Sequence, residues 1–505
     1  MDRANGAHAG RTRGPALTAQ LGQNKYLAAG SGTLPAHAVL TVEAEGLGGL
    51  TARAESAEVV VIDCSGSMSW PSTKIAAARR AAAAAVEALR DGTRFALVEG
   101  TDRARVVYPP GGGMALAGPD SRADAAHVAA RLVAAGGTAM AAWLTCALDL
   151  LAAQSAPIRH TVLLTDGRNE HDRPGELEDA LTACAGRFTC DARGIGDQWA
   201  ATELREIATR LHGVADAVED HSDLEAEFRT MMTSAMGKAL PDIRIRVRLR
   251  EGSELRFLKQ VFPTELDLTA EGVRAEESVW EFPTGAWGDE ARDFHLCVTA
   301  DPAGDPRGED LQLASVTLVA GDQQPGTATP RIALPRPSPL LVHWTDDPVL
   351  STRVHPRVAH YGGHADLGRA VVAGCEAYER GERATAEAEW GRAVRLAGEL
   401  RDEKMLRRLG RLVTVTDLPP GEVRIRSDLS HGDLNAVWVT ADHSTRWTAP
   451  SERAQPTERP LPEQREAPDR ACPRCRRVSA AGDSVCTQCG HRFATAPAAP
   501  PGPPA

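Results

Sequence analysis

The sequence predicts a multidomain α/β chain built around one doubly wound domain with a mostly parallel sheet. Between residues 57 and 238, short apolar strands alternate with helical segments, the pattern of a sheet covered on both faces. Beyond that span the apolar residues switch to period two, as in "IRIRVRLR" (Ile243–Arg250). Near the end, four cysteines fall into two Cys-x2-Cys pairs.

Within the central domain the β-branched run Val59–Ile62 leads to a helix around Lys74–Arg90, then to the strand "RFALVEG" (Arg94–Gly100). Helices follow near Arg122–Ala134 and, after "GGTAM", over Met140–Ala153. The strand "HTVLLTDG" (His160–Gly167) precedes a helix at Glu176–Ala185, the strand "RFTCDARGIG" (Arg187–Gly196), and helices near Ala200–Leu211 and Asp223–Lys238. This is a Rossmann-like order, in which ligands gather at the carboxyl ends of the strands.

The flanks read differently. In Ile243–Arg250 one face is aliphatic and the other arginine, as a half-exposed antiparallel strand requires. "DFHLCVTA" and "LASVTLVA" repeat the theme, so residues 239–345 are expected to form a β-sandwich. "AVLTVEAEG" (Ala38–Gly46) has no strand partner nearby in sequence. Residues 19–56 are therefore assigned to the same sandwich, which makes the central domain (57–238) an insertion into it. Residues 346–418 carry apolar positions at helical spacing with Gly381 as a break, which fits helical hairpins. A short β-like segment (419–448, with Glu422–Thr440 as its strand-like part) follows. Residues 449–470 hold five prolines and nine charged residues, the composition of a linker. Residues 1–18 and the "ATAPAAPPGPPA" tail (494–505) are expected to be disordered.

With 42% apolar and 25% charged residues the chain has the composition of soluble globular protein. A net charge of −11 speaks against nucleic acid as the main partner. The first fifteen residues contain no apolar core of a secretory signal, and the alanine-rich run Ile75–Leu89 is interrupted by Arg79, Arg80 and Glu87. A cytoplasmic protein with no membrane association is the expectation. Six scattered cysteines (Cys64, Cys146, Cys184, Cys190, Cys297, Cys375) are then plain, mostly buried thiols.

A buried strand that runs straight into "DCSGS" presents Asp63, Ser65 and Ser67 at alternate positions. Hard divalent cations take such oxygen ligands. Thr138 lies in a glycine-rich loop that opens a helix, and Asp166 ends another buried strand, so a doubly wound sheet collects all five on one edge. These pieces, in this order, resemble the von Willebrand factor A domain and its metal-ion-dependent adhesion site. The resemblance covers roughly Ala57–Lys238. It implies that Ser65, Ser67 and Thr138 bind the metal directly or nearly so, while Asp63 and Asp166 often act through water. It also implies Mg2+ (or Mn2+ or Ca2+) as the ion, and a partner protein whose Asp or Glu side chain completes the coordination. Ser72 and Thr73 read as helix caps. Asp102 reads as a solvated loop residue, with a supporting role behind the ligands as the alternative. His171 and Asp172 read as exposed loop residues able to shape partner choice, and Cys64 as buried.

"CPRCRRVSAAGDSVCTQCG" sets Cys472 and Cys475 ten residues from Cys486 and Cys489. Four thiolates on two knuckles suit a closed structural Zn2+ site, the alternative being a disulfide pair in an oxidising compartment. The stretch is similar to a zinc ribbon (residues 471–493), although Arg476 stands where a glycine often follows the second cysteine. In so small a module, metal binding and folding are coupled.

The function these features favour is a non-enzymatic, metal-dependent scaffold. The architecture is similar to cytosolic bacterial A-domain proteins, some of which accompany protein kinases, phosphatases or phosphopeptide readers. High Ala, Arg and Gly usage suits a high-GC bacterium. One alternative is a metal-dependent phosphohydrolase, against which the sequence offers no paired acid and base, P-loop lysine or nucleophile elbow. Another is the non-ATPase subunit of a chelatase-like assembly, whose ATPase would have to be a separate chain.

Overall fold

The computed structural model describes residues 15–30, 32–51, 54–320, 332–417, 422–449, 470–471, 473–474, 476 and 478–479. The chain divides into two compact units, Met1–Trp447 and Thr448–Ala505.

The α/β part of the first unit is organised by a sheet in the order Ala215–Val218, Thr189–Ile195, Ile158–Thr165, Ser56–Asp63, Arg94–Gly100, Ala104–Tyr108. The first five strands are parallel and the last is antiparallel, with the short strand Ala115–Leu116 also joined antiparallel to Arg94–Gly100. Every residue of Ser56–Asp63 is buried, which explains why its sequence shows no polar alternation. Val59 and Val61 enter one core, with Met140, Trp143 and Leu204. Val60 and Ile62 enter a second core on the other face, with Phe228 and Met232. The helix Thr73–Glu87 presents Ala77, Ala78, Ala81, Ala82 and Ala85 to that second core, small side chains that let a helix backbone lie close to a sheet. The predicted helices are present with ends shifted by a few residues, the largest shift being Pro119–Ala129 in place of Arg122–Ala134. The edge strands Ala104–Tyr108 and Ala215–Val218 were not anticipated.

Two further sheets flank this domain in sequence. One runs Ala16–Gln23, Leu34–Glu45, Glu290–Ala300, Glu254–Phe262, Leu266–Asp267; the other runs Val273–Glu276, Val279–Pro283, Ile243–Leu249, Asp310–Ala320, Ser338–Thr345, Tyr26–Ala28. Leu40 and Phe294 from the first sheet share a core with Ile245, Val247, Leu318 and Trp344 from the second. Strands from before and after the α/β domain thus pair directly, with Leu40 opposite Phe294. Leu34–Glu45 lies beside Glu290–Ala300, whereas Ile243–Leu249 belongs to the other sheet. In Ile243–Leu249 the residues Ile243, Ile245 and Val247 are buried. Arg246 turns outward to Glu281, which Arg244 also approaches at 3.5 Å.

Helices Pro356–Glu379, Arg383–Leu400 and Glu403–Leu412 follow, the first two separated at Gly381, whose φ of +79° suits glycine. Their Leu367, Val371, Trp390 and Leu409 join the same core as Trp143 and Leu204, so the helices are part of the α/β body. The β-like reading of Glu422–Thr440 is corrected. Only Glu422–Ile425 is a strand, paired with Val413–Asp417, and His431–Trp438 is a helix. The β-branched and aromatic run "AVWVT" has strand propensity, but the Ser430 hydroxyl caps a helix by accepting from Asp433 N at 3.0 Å, and burial of Leu434, Val437 and Trp438 does the rest.

In the second unit, Arg470–Ala471 pairs antiparallel with Val478–Ser479. The ligands expected for zinc, Cys472, Cys475, Cys486 and Cys489, lie outside the described residues, as do residues 1–14, 450–469 and 494–505. The expected disorder of 1–18 is corrected at its end, where Ala16, Leu17 and Thr18 belong to the strand Ala16–Gln23 and pair with Leu34–Glu45.

Candidate functional site

The central strand ends at Asp63, and the chain then turns through a short 3-10 helix, Gly66–Ser69. Next to it, Ile158–Thr165 ends just before Asp166. The third contribution comes from the loop ahead of helix Met140–Ala152, which carries Thr138. Backbone bonds fasten the first and third loops together: Ala135 N donates to Cys64 O at 2.7 Å and Gly66 N to Gly136 O at 2.9 Å.

These strand ends bring the five predicted side chains into one cluster. Asp63 is fully buried; its Oδ1 accepts from Ser65 N at 2.7 Å and its Oδ2 from the Thr165 hydroxyl at 2.6 Å. Burial pushes the Asp63 carboxyl up to about 6, against the opposing pull of the Ser65 and Thr165 hydrogen bonds and with a small further push from the Asp166 charge. The Ser65 and Ser67 hydroxyls are 2.9 Å apart, and Ser67 donates to Asp166 Oδ1 at 2.7 Å. A methyl group built on Gly167 would lie 3.1 Å from Thr138 Oγ1, 3.7 Å from Ser67 Oγ and 3.9 Å from Asp63 Oδ2. Three loops therefore aim their oxygens at a single spot. Ser65, Thr138 and Asp166 are buried, Ser67 is half-buried and Gly66 is exposed, so the cluster opens to solvent beside the Gly66–Ser69 turn.

The α/β region matches the model of the von Willebrand factor type A domain over residues 57–217. A solved von Willebrand factor type A protein from Catenulispora acidiphila is 38% identical; the match covers 87% of this chain and 99% of that one, with a TM-score of 0.77. The chain belongs to the von Willebrand factor type A family. The similarity takes in far more than the A domain itself. The ArnB paralog VWA2 from Sulfolobus acidocaldarius shares the fold at 13% identity and a TM-score of 0.51, over 85% of this chain and 98% of that one. No curated protein matches.

Two residues of the A-domain cluster were missed by sequence reasoning. Thr165 orients Asp63, as above. Lys74 Nζ donates to Asp166 Oδ2 at 2.6 Å, with both side chains buried. A weak signal for Lys74 existed: it sits in the first turn of its helix, where the helix dipole disfavours a cation unless an anion answers it. His171 is exposed, as expected, whereas Asp172 is half-buried; both, with Asn169, support the Thr138 loop. His171 Nδ1 accepts from Thr138 N at 3.1 Å, Asn169 Oδ1 from Met140 N at 3.0 Å, and Asp172 Oδ2 from Ala141 N at 2.7 Å. Asn169 and Asp172 occupy two of the free N–H groups at the start of helix Met140–Ala152, while His171 holds the loop just before it; these roles act across some thirty residues of sequence and leave no local pattern. The expected caps are not made. Ser72 precedes helix Thr73–Glu87 without a side-chain cap bond, and Thr73 Oγ1 instead lies 3.4 Å from His221 Nδ1. Asp102 is exposed, and its Oδ1 lies 2.9 Å from where a Cβ on Gly136 would stand. Cys64 is buried, which pushes its thiol far up, and it is one of six free cysteines among the described residues. Among those residues no three His, Cys, Asp or Glu side chains form a metal-binding group; the cluster instead combines two carboxylates with three hydroxyls. None of the described helices is long and apolar enough to cross a membrane.

Proposed function

We propose that the A domain is a metal-ion-dependent adhesion site that captures an acidic side chain of a partner protein. The observation that carries this reading is the convergence of Asp63, Ser65, Ser67, Thr138 and Asp166 at the carboxyl edge of the sheet, beside an opening to solvent. The donor set fits a hard divalent cation: all oxygen, two carboxylates, three neutral hydroxyls. Mg2+ is the natural candidate, with Mn2+ or Ca2+ as substitutes. When bound, the cation supplies an electrophilic position that an external carboxylate can fill. Asp63 and Asp166 offset its charge, Thr165 and Lys74 hold those two carboxylates in orientation, and Ser67 stands at the mouth where a partner enters.

The rest of the reading follows this binding role. The two flanking sheets act as one β-sandwich into which the A domain is inserted, a base for presenting the site. Cys472, Cys475, Cys486 and Cys489 hold structural Zn2+ in a ribbon tethered behind a linker; elemental analysis finding no zinc in protein purified without chelator would remove that part. The protein is a cytoplasmic scaffold and not an enzyme, and kinases, phosphatases or phosphopeptide readers are the partner classes to examine first.

The deciding experiment is affinity capture from the native host in Mg2+, with wild type, Asp63→Ala and Ser67→Ala, and wild type in EDTA. The expected result is a partner retained only by wild type in Mg2+, with unchanged circular dichroism in all samples. Equal capture by all four refutes the proposal.

A further inference from the structure

The Lys74 ammonium is a cation already installed on a predicted metal ligand. It donates to Asp166 Oδ2 at 2.6 Å, while Ser67 takes Asp166 Oδ1 at 2.7 Å. The lysine side chain is 8% exposed and the aspartate 0%. The pocket for it is built: a Cβ on Gly196, at the end of strand Thr189–Ile195, would stand 3.0 Å from Lys74 Cε and 3.4 Å from Nζ, and Gly196 has a φ of +77°. Lys74 therefore cannot be regarded as a surface lysine that happens to reach inward.

Its effect is electrostatic. Asp63, Asp166 and Lys74 together carry a net charge of −1 when all are ionised. Adding a dication to this buried cluster leaves +1, and a partner carboxylate then restores neutrality. Without Lys74 the ligand set would carry −2, so the dication alone would neutralise it and an added carboxylate would leave −1. Uncompensated charge in a buried site is costly. We infer that Lys74 makes cation capture depend on the acidic partner: it weakens binding of the bare ion and strengthens binding of ion and carboxylate together. Because such coupling is reciprocal, the acid raises ion affinity by the same factor as the ion raises acid affinity. This inference rests on the adhesion-site reading and adds to it the device that ties the two ligands together.

The test uses the full chain, Mn2+ as the probe ion and acetate as the probe carboxylate. Mn2+ affinity is measured by electron paramagnetic resonance in chloride and in acetate at equal ionic strength, and Asp63→Ala gives the background from any other site. Lys74→Gln removes the charge but can still donate to Asp166, Lys74→Met removes both, and Lys74→Arg keeps the charge. In chloride, Lys74→Gln and Lys74→Met are expected to bind Mn2+ at least tenfold more tightly than wild type. Acetate is expected to tighten Mn2+ binding to wild type and Lys74→Arg, and to leave or weaken it in the two neutral variants. A lysine that merely braces the loop would not produce this reversal. Equal Mn2+ affinity in wild type and Lys74→Gln, or the same acetate response in both, overturns the inference while leaving the metal site intact. Mn2+ binding no better than Asp63→Ala in every variant overturns the adhesion-site reading and the inference with it.

Discussion

Replacing Arg408 with methionine measures how firmly the C-terminal helices are attached to the A domain. Arg408 lies in helix Glu403–Leu412 and is 4% exposed. Its guanidinium meets Asp216 Oδ1 at 2.8 Å and Glu219 Oε1 at 3.1 Å, and also donates to Ala436 O at 3.2 Å and Thr440 Oγ1 at 3.0 Å. Methionine keeps much of the apolar stem but leaves two carboxylates short of a cation. Removing one partner of a buried ion pair costs about 3–5 kcal/mol. The lower end, about 3 kcal/mol, applies here because Lys404 still holds Asp216 at 2.7 Å and Arg411 holds Glu219 at 2.7 Å. The pH dependence has a fixed sign. Burial alone would raise the Asp216 carboxyl, but Arg408, His443 and Lys404 outweigh it and hold the group well below the usual carboxylate range. A group lowered on folding stabilises the protein above its unfolded pKa, near 4, and loses that contribution as pH falls toward its folded value. Urea unfolding followed by tryptophan fluorescence should therefore show a wild-type advantage that is constant from pH 7 to about 5 and shrinks below 4. A loss under about 1 kcal/mol at pH 7, or an undiminished difference at pH 3, would refute the argument that this ion cluster fastens the two parts.

Two other perturbations probe different layers. His160 is held between Glu58, at 2.7 Å from Nδ1, and Asp191, at 3.3 Å from Nε2; burial disfavours its charged ring, but the two carboxylates prevail and raise it to about 10. A raised histidine stabilises fully below its unfolded pKa near 6.5 and loses that contribution on the way to 10, so wild-type stability should fall by up to about 1.4 kcal/mol per pH unit between pH 7 and 9. Unfolding titrations should show this slope flattened in His160→Gln; an unchanged slope would assign the pH dependence elsewhere. At the Thr138 loop, a Cβ on Gly137 would lie 2.3 Å from the His171 ring, so Gly137→Ala must displace the ring and break its bond from Thr138 N. Gly137→Ala and His171→Ala should each cost about 1 kcal/mol, the double variant little more than either, and all three should weaken Mn2+ binding; additive losses would mean the two residues act separately.

What could be read from the sequence was whatever backbone periodicity controls. The run Val59–Ile62 marks a strand buried on both faces, and "DCSGS" follows it so closely that the strand end fixes where Asp63, Ser65 and Ser67 fall. Asp166 reads the same way at the end of Ile158–Thr165. What stayed hidden depends on contacts between segments far apart in sequence. Lys74 and Asp166 are 92 residues apart. The capping of helix Met140–Ala152 comes from Asn169 and Asp172, and neither identity nor spacing announces it. His431–Trp438 was misread because strand propensity measures fit to a half-buried pleated surface, whereas this segment is buried against helices and strands of the A domain: Asn435 donates to Trp199 O at 2.6 Å.

The same division separates the ligand cage from whatever recognises a partner. Asp63, Ser65, Thr138 and Asp166 are buried, and each carboxylate is already engaged by hydroxyl, backbone or ammonium donors. On the proposed reading such buried groups set the charge and the coordination, and leave little of themselves for a macromolecule to touch. On the proposed adhesion reading, contact with the rest of a partner comes from what surrounds that opening. There the turn Gly66–Ser69 leads to Trp70, 82% exposed, and the strand end beyond Asp166 leads to the exposed Arg168. A large exposed aromatic and an arginine are the side chains that most often concentrate binding energy at interfaces. The oxygen cluster is thus fixed by buried strands and legible as a motif, while on the proposed reading selectivity would fall to exposed residues that folding leaves free to vary.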